Sequence, residues 1–228
     1  MIIHMPRNTR VDVADEIFHV INRANARVQI FYNDKDYKLF EQVLEEAKER
    51  IDLKIYSYCI MPNHWHLIVS PKSDGDLSKF MGWLTMTHTQ RWHAMHKTIG
   101  SGHLYQGRYK SFIVQSDKYF LQLCRYVERN PIRAKLVKDI HNWKWSSLWR
   151  REKGSLSQRK LLNSWPVTLP KDYISWINES EQKEVLEELR YSVNKSKPYG
   201  NINWVNGMID RFKLKSTLHK PGRPKNGS

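Results

Sequence analysis

The stretch Leu53-Lys54-Ile55-Tyr56-Ser57-Tyr58-Cys59-Ile60-Met61-Pro62-Asn63-His64-Trp65-His66-Leu67-Ile68-Val69 decides the fold. Its first half, Leu53 to Ile60, is rich in Ile and Tyr and reads as a strand. Met61-Pro62-Asn63 is a turn, because proline fixes φ and asparagine tolerates turn geometry. His64 to Val69 is a second strand, so the two form a hairpin. Upstream, Ile17-Phe18-His19-Val20-Ile21 is a short strand. Asp34 to Ile51 reads as a helix, with Phe40, Val43, Leu44, Ala47 and Ile51 at three- and four-residue steps. Downstream, Leu77, Phe80, Met81, Leu84, His88 and Met95 mark a long helix. Leu104 to Val114 reads as a strand, and Ser116 as the N-cap of a helix through Arg129. The Asn130-Pro131 step should end that helix, since a residue before proline avoids the α region. The order β-α-β-β-α-β predicts an α+β, ferredoxin-like split β-α-β fold, an antiparallel sheet with helices on one face.

Composition bounds the function classes. Of 228 residues, 40% are hydrophobic and 27% charged, enough for a globular core. The longest apolar runs, such as Leu67-Ile68-Val69, are too short to cross a bilayer, and Met1 to Arg7 lacks the layout of a secretory signal. Two cysteines, Cys59 and Cys124, exclude a disulfide scaffold or a four-thiolate zinc module, and point to a cytoplasmic setting. Lys and Arg number 38 against 23 acids, a formal charge of +15, which favours a polyanionic partner. Nine Trp, eleven Tyr and seven Phe supply rings on which bases can stack, although many must be core. Trp143, Trp145 and Trp149 stand in a basic segment and admit either role. Eleven Lys/Arg and three acids lie between Ser101 and Arg151, and six Lys/Arg with no acid follow from Arg211; the acidic stretch Glu179 to Glu188 separates them. This predicts a core domain over 1–150, a helical extension over 151–213 and a basic tail over 214–228, joined near Arg151–Gln158.

In a strand, alternate side chains share a face, so His64 and His66 point one way and Trp65 the other. Two imidazoles about 7 Å apart along the strand can converge on one divalent ion. The competing reading is a pair of polar residues on a solvated face. Two histidines are too few for a closed structural zinc site and leave coordination positions open, as a catalytic site requires. In the helix before Pro131, Phe120, Leu123 and Val127 should pack inward, while Tyr126 and Asn130, four apart, share a neighbouring face. An amide oxygen one turn from a phenol could complete the site; an interfacial aromatic and a helix-terminal asparagine is the plainer alternative. Arg125, Arg129 and Arg133 favour a phosphate neighbour.

Three blocks in order, Met61-Pro62-Asn63-His64-Trp65-His66-Leu67, Gly102-His103-Leu104-Tyr105-Gln106-Gly107-Arg108-Tyr109-Lys110-Ser111 and Arg125-Tyr126-Val127-Glu128-Arg129-Asn130-Pro131-Ile132-Arg133-Ala134, resemble the single-tyrosine HUH transposases. The nearest branch in pattern is the REP-associated tyrosine transposases. The resemblance implies an HUH nuclease domain with His64, His66 and Asn130 as ligands of Mg²⁺ or Mn²⁺ and Tyr126 as nucleophile. It implies cleavage and rejoining of single-stranded DNA beside hairpins through a 5′-phosphotyrosine, by a monomer or homodimer with no membrane partner. Arg108, Lys110, Arg125, Arg129 and Arg133 are the expected DNA contacts. They are joined by Arg223 and Lys225 of the tail, where Pro221-Gly222-Arg223-Pro224-Lys225 resembles an AT-hook core suited to a narrow minor groove. Two rivals stand: a non-catalytic DNA-binding protein on the same fold, and a phosphohydrolase in which His-x-His activates a water.

Overall fold

The computed structural model describes residues 10–218. The hairpin forms as the sequence predicts: β2 (Leu53–Met61) and β3 (His64–Pro71) pair antiparallel with Met61 opposite His64. β1 (Ile17–Arg23) lies beside β3, and β4 (Lys110–Val114) beside β1, giving an antiparallel sheet of order β2-β3-β1-β4. α1 (Asp34–Arg50) and α2 (Asp76–Met95) supply the two crossovers. α1 starts at a capping box: the Asn33 side chain accepts from the helix backbone and Asp36 reaches back to Asn33 N. This is the ferredoxin-like plan, and among the described residues no helix is long and apolar enough to cross a membrane.

Helices cover both faces of the sheet, not one. On the first face Phe18, Val20, Trp65, Leu67 and Val69 pack with Phe40, Leu44, Phe80 and Leu84 of α1 and α2. The second face, carrying Tyr56, Cys59, Ile68 and Phe112, is closed by Phe120, Leu123 and Val127 of α3 (Lys118–Glu128). β2 is buried at eight of its nine positions, as a strand between two layers must be.

Two local expectations change. Only 110–114 of the 104–114 segment is a strand; residues 104–109 form a loop that touches β1 through an Ala24–Tyr105 bridge and Gln106 N→Arg23 O at 2.9 Å. Leu104, Tyr105 and Tyr109 are apolar there because they cap the first core, not because they alternate along a sheet. Asp117, not Ser116, caps α3, accepting from Tyr119 N at 2.8 Å. α3 ends at Glu128 with Arg129 as its C-cap, as the Asn130-Pro131 step predicts, and a separate short helix, α4 (Asn130–Arg133), follows with Arg133 N→Arg129 O at 3.0 Å. Pro131 sits in the first turn of α4, where a missing N–H costs nothing.

After α4 come α5 (Ser147–Lys153), α6 (Leu156–Arg159), α7 (Tyr173–Asn178), α8 (Lys183–Lys195) and α9 (Ile202–Arg211). Tyr173, Ile177, Leu189 and Tyr199 enter the second core, and Tyr199 pairs with the outer edge of β4 through Tyr199 N→Ile113 O and Gln115 N→Tyr199 O, both 2.9 Å. Trp143 and Trp145 are structural: Trp145 stacks on Tyr37 at 4.6 Å, and Trp143 Nε1 donates to Ile60 O at 3.0 Å.

Candidate active site

The hairpin turn is sewn to the β1–α1 connection. Pro62 O accepts from Ile30 N and Phe31 N, Asn63 O accepts from Ala24 N, and Asn63 Nδ2 donates to Arg27 O, all at 2.9–3.1 Å. These bonds fix where β3 begins, and hence His64 and His66. On the opposite face Trp65 is fully buried and its Nε1 donates to Tyr105 Oη at 3.0 Å, which pairs with His88 Nδ1 at 2.7 Å. The strand between the histidines is therefore held from behind.

The two imidazoles lie with ring centroids 5.1 Å apart. His64 Nδ1 is 2.6 Å from Asn63 Oδ1, and His66 Nδ1 is 2.8 Å from His19 Nε2. Both Nδ1 atoms are occupied, which leaves the two Nε2 atoms as the donors to any ligand. The face is not solvated, as one sequence reading had it: His66 is 2% exposed because α3 covers it. Burial, then Arg23 and Arg133, lowers the His64 pKa to about 3. Burial, then the neighbouring His19 and His64, holds His66 well below its ordinary value. Both rings are thus neutral at physiological pH, the form that can ligate a metal.

α3 delivers the phenol. Phe120, Leu123 and Val127 anchor its inner face, and Tyr126 meets His66 edge-to-face at 6.1 Å between ring centroids. The Tyr126 hydroxyl has no hydrogen-bond partner among the described residues, and its ring lies under the Arg133 guanidinium, with Cζ 4.2 Å from the centroid. Burial is the largest influence on Tyr126 and raises its pKa; Arg133 pulls the other way. Asn130, one turn on, donates Nδ2 to Tyr126 O (3.3 Å) and Val127 O (3.2 Å), and its amide oxygen has no partner among the described residues.

Two neutral imidazoles with free Nε2 atoms and one spare amide oxygen suit a divalent ion that keeps open positions. Among the described residues no three His, Cys, Asp or Glu side chains are grouped to hold a metal. His19 Nε2 is engaged by His66 Nδ1, so His19 orients the His66 ring.

The arginines around α3 have other work. Arg125 is 7% exposed, donates to Glu179 O and Ser180 O, and lies over Trp176. Arg129 and Arg133 both pair with Glu181, and Arg129 also donates to Ile177 O. Glu181 belongs to the acidic stretch, yet its side chain is 6% exposed. Arg125 and Arg129 are thus internal struts, because a buried guanidinium needs its own acceptors, and Arg133 is committed to Glu181 and Tyr126 O. Arg108 and Lys110 are exposed, with no ion-pair or hydrogen-bond partner for their side chains among the described residues. Arg223 and Lys225 lie outside the described residues. Sequence reasoning missed His19, Arg23 and Glu181. The β1–β3 register carries the signal for the first two, since Arg23 faces His64 and His19 lies diagonally from His66; nothing local marks Glu181.

The antiparallel sheet, formed in the order β-α-β-β-α-β, thus carries a His-x-His strand with a helix-borne tyrosine packed against it. The family model for IS200-like transposases matches residues 12–130, just over half the chain, and the chain belongs to that family. A REP-associated tyrosine transposase of Escherichia coli (strain K12) is 22% identical over 138 residues, covering 58% of this chain and 76% of that protein. The solved structure of a REP-associated tyrosine transposase bound to a REP hairpin superposes with a TM-score of 0.56 at 19% identity, over 78% of this chain and 93% of that one. That likeness establishes the fold.

Proposed function

We propose that this protein cleaves and rejoins single-stranded DNA beside hairpins, with Tyr126 as nucleophile, through a covalent 5′-phosphotyrosine. The observation that carries the reading is the edge-to-face meeting of Tyr126 and His66 in one chain, the phenol oxygen being unengaged among the described residues. The name of the solved relative, bound to a hairpin, supports the same substrate class.

A phosphodiester resists attack because its oxygens repel the nucleophile. Mg²⁺ or Mn²⁺, bound by His64, His66 and Asn130, would polarise a phosphate oxygen and offset developing charge. The chain's own residues do the rest. Burial keeps Tyr126 protonated at rest, so the phenol is passive until substrate arrives. Tyr126 Oη then bonds to phosphorus in line while the P–O3′ bond breaks. The phenolic proton goes to solvent, and the leaving 3′ oxygen regains one. A later attack by a 3′-hydroxyl reverses the step and restores the phenol, so rejoining requires no nucleotide cofactor. Arg133, above the Tyr126 ring, offsets the negative charge the phenol oxygen develops. Because imidazoles and phenol come from one chain, a monomer carries the whole site. Residues 1–150 form the nuclease unit of the proposal, 151–213 the extension that braces α3, and 214–228 a basic tail; the setting is the cytoplasm.

Tyr126→Phe tests this directly. The variant should bind a hairpin oligonucleotide with a single-stranded flank yet show no covalent adduct on a denaturing gel or by intact mass. An adduct that persists in Tyr126→Phe assigns the nucleophile elsewhere, and wild-type protein that forms none with Mg²⁺ or Mn²⁺ is a binding module.

A further inference from the structure

Arg23 ends β1 directly opposite His64. It stands out from the other arginines near the site. Arg125, Arg129 and Arg133 are held by carbonyls and by Glu181. Among the described residues the Arg23 guanidinium has no hydrogen bond and no carboxylate, and its Nε is buried with no partner. The nearby charges oppose it: Arg27 lies close enough to repel it, and only the phenol of Tyr126 could attract it, if ionised. A half-buried cation without a counter-charge is costly, and folding normally removes such a cost by pairing. Here the pairing group is missing from the described chain.

Arg23 lines a cavity of about 290 Å³ with Asn22, Gln106, Gly107, Arg108 and Lys110. Three cations line it and no acid does. Arg108 and Lys110 also line a second cavity, of about 370 Å³, along the outer side of β4 with Arg10. The two cavities share both residues, so basic groups run from the end of β1, opposite His64, onto the sheet edge. Gly107 leaves open space where a Cβ would stand, so a ligand backbone can approach the loop closely.

We propose that Arg23 is a substrate-contacting residue that grips a backbone phosphate of the bound strand beside Tyr126 and His64. Arg108 and Lys110 carry the next phosphates along the edge of β4. The occupant is an anion with several oxygens, since the guanidinium fork is built for two-point contact. A repeating polyphosphate backbone fits a row of cations better than a single small anion does. The proposal rests on the reading of the chain as a single-strand DNA enzyme, but its test reads binding and not chemistry.

The probe is a fluorescent oligothymidylate of about 20 nucleotides, long enough for one site of this kind. Affinity is measured by anisotropy in chelator, on the Tyr126→Phe background, across a salt series. Arg23→Gln should weaken binding about 10- to 100-fold, the worth of one charged hydrogen-bonded contact. It should flatten the slope of log K against log salt by about 0.7, the value for one phosphate contact on a single strand. Arg23→Lys should keep the slope and lose several-fold in affinity, because it keeps the charge without the fork. Lys54→Gln, an exposed site at the far end of β2, should change neither. Arg23→Gln with parental affinity and slope overturns the proposal, as does an equal change in Lys54→Gln, which would assign the effect to the overall field. If a melting curve shows that Arg23→Gln does not fold, phenylglyoxal labelling of the parent decides. The oligonucleotide should protect Arg23, and unaltered labelling overturns the contact. Wild-type protein that never forms a covalent adduct with Mg²⁺ or Mn²⁺ sinks the catalytic reading while leaving these binding results standing.

Discussion

Replace Glu181 with glutamine and the tyrosine helix loses its latch. The carboxylate is nearly fully buried and takes Arg129 Nε at 2.8 Å on one oxygen and Arg133 on the other. The side chains of Arg129 and Arg133 are 6% and 16% exposed, so water cannot replace what is lost. Glutamine keeps the shape and one acceptor but removes the charge. Two guanidiniums then remain close together, under-compensated in a poorly solvated place. Removing one partner of a buried ion pair costs about 3–5 kcal/mol, and for a chain of this size each kcal/mol moves the melting midpoint by about 2–4 °C. The expected drop is about 6–20 °C, read by differential scanning calorimetry or circular dichroism. The exposed pair Lys183–Glu187, 4.0 Å apart with side chains 82% and 65% exposed, supplies the contrast: Glu187→Gln should leave the midpoint unchanged. If Glu181→Gln melts with the parent, or no lower than Glu187→Gln, the latch is not a structural element and the burial argument is wrong.

Two further outcomes follow from the buried imidazoles. His88 stacks on Phe31 and meets Phe40 edge-on, and burial lowers its pKa to about 3. A base depressed on folding binds fewer protons folded than unfolded, so its stability contribution is complete above about pH 6.5 and is lost as pH falls toward 3. Melting measured across that window should fall with acid. His88→Phe should remove up to about 1.4 kcal/mol per pH unit of that slope, and an unchanged slope would show that His88 does not titrate there. His19→Phe should keep the fold but weaken Mn²⁺ binding about 10- to 100-fold by calorimetry, because the residue that sets the orientation of His66 is gone; parental Mn²⁺ affinity would deny His19 that role.

Much of the fold is legible because the strands are written in two registers at once. Leu67, Val69 and Trp65 alternate with His64 and His66, and that period of two marks β3 by itself. β2 reads differently: Ile55 to Met61 is a nearly unbroken apolar run with one serine. Such a run signals a strand covered on both sides, and periodicity alone does not say which helices make the second cover. It comes from α3 and from helices far along the chain. The 104–109 loop fails for a related reason: an apolar residue in a loop that caps a core looks the same in sequence as one in a strand. Asp117 over Ser116 is a one-residue choice between two good caps, settled only by which side chain reaches Tyr119 N.

The site shows the same division between local and long-range information. Strand and helix periods suffice to put His64 with His66 and Tyr126 with Asn130, each pair on one face, and the site roles proposed for them rest on the family resemblance. The residues that set their chemistry are distant in sequence, and Glu181 carries two effects at once. It holds Arg129 and Arg133, and so fixes the end of the helix that presents Tyr126; its own charge also raises the phenol's pKa, opposing Arg133. Removing that charge leaves Arg133 uncompensated above the ring and favours phenolate, while loosening the geometry that brings phenol to imidazole. The two consequences have opposite signs for reaction at phosphorus. Well below the lowered melting temperature, where α3 remains docked, Glu181→Gln should therefore shift the pH dependence of adduct formation to lower pH even if its maximum rate falls. A uniform loss of rate at every pH would mean that Glu181 acts on Tyr126 only through position.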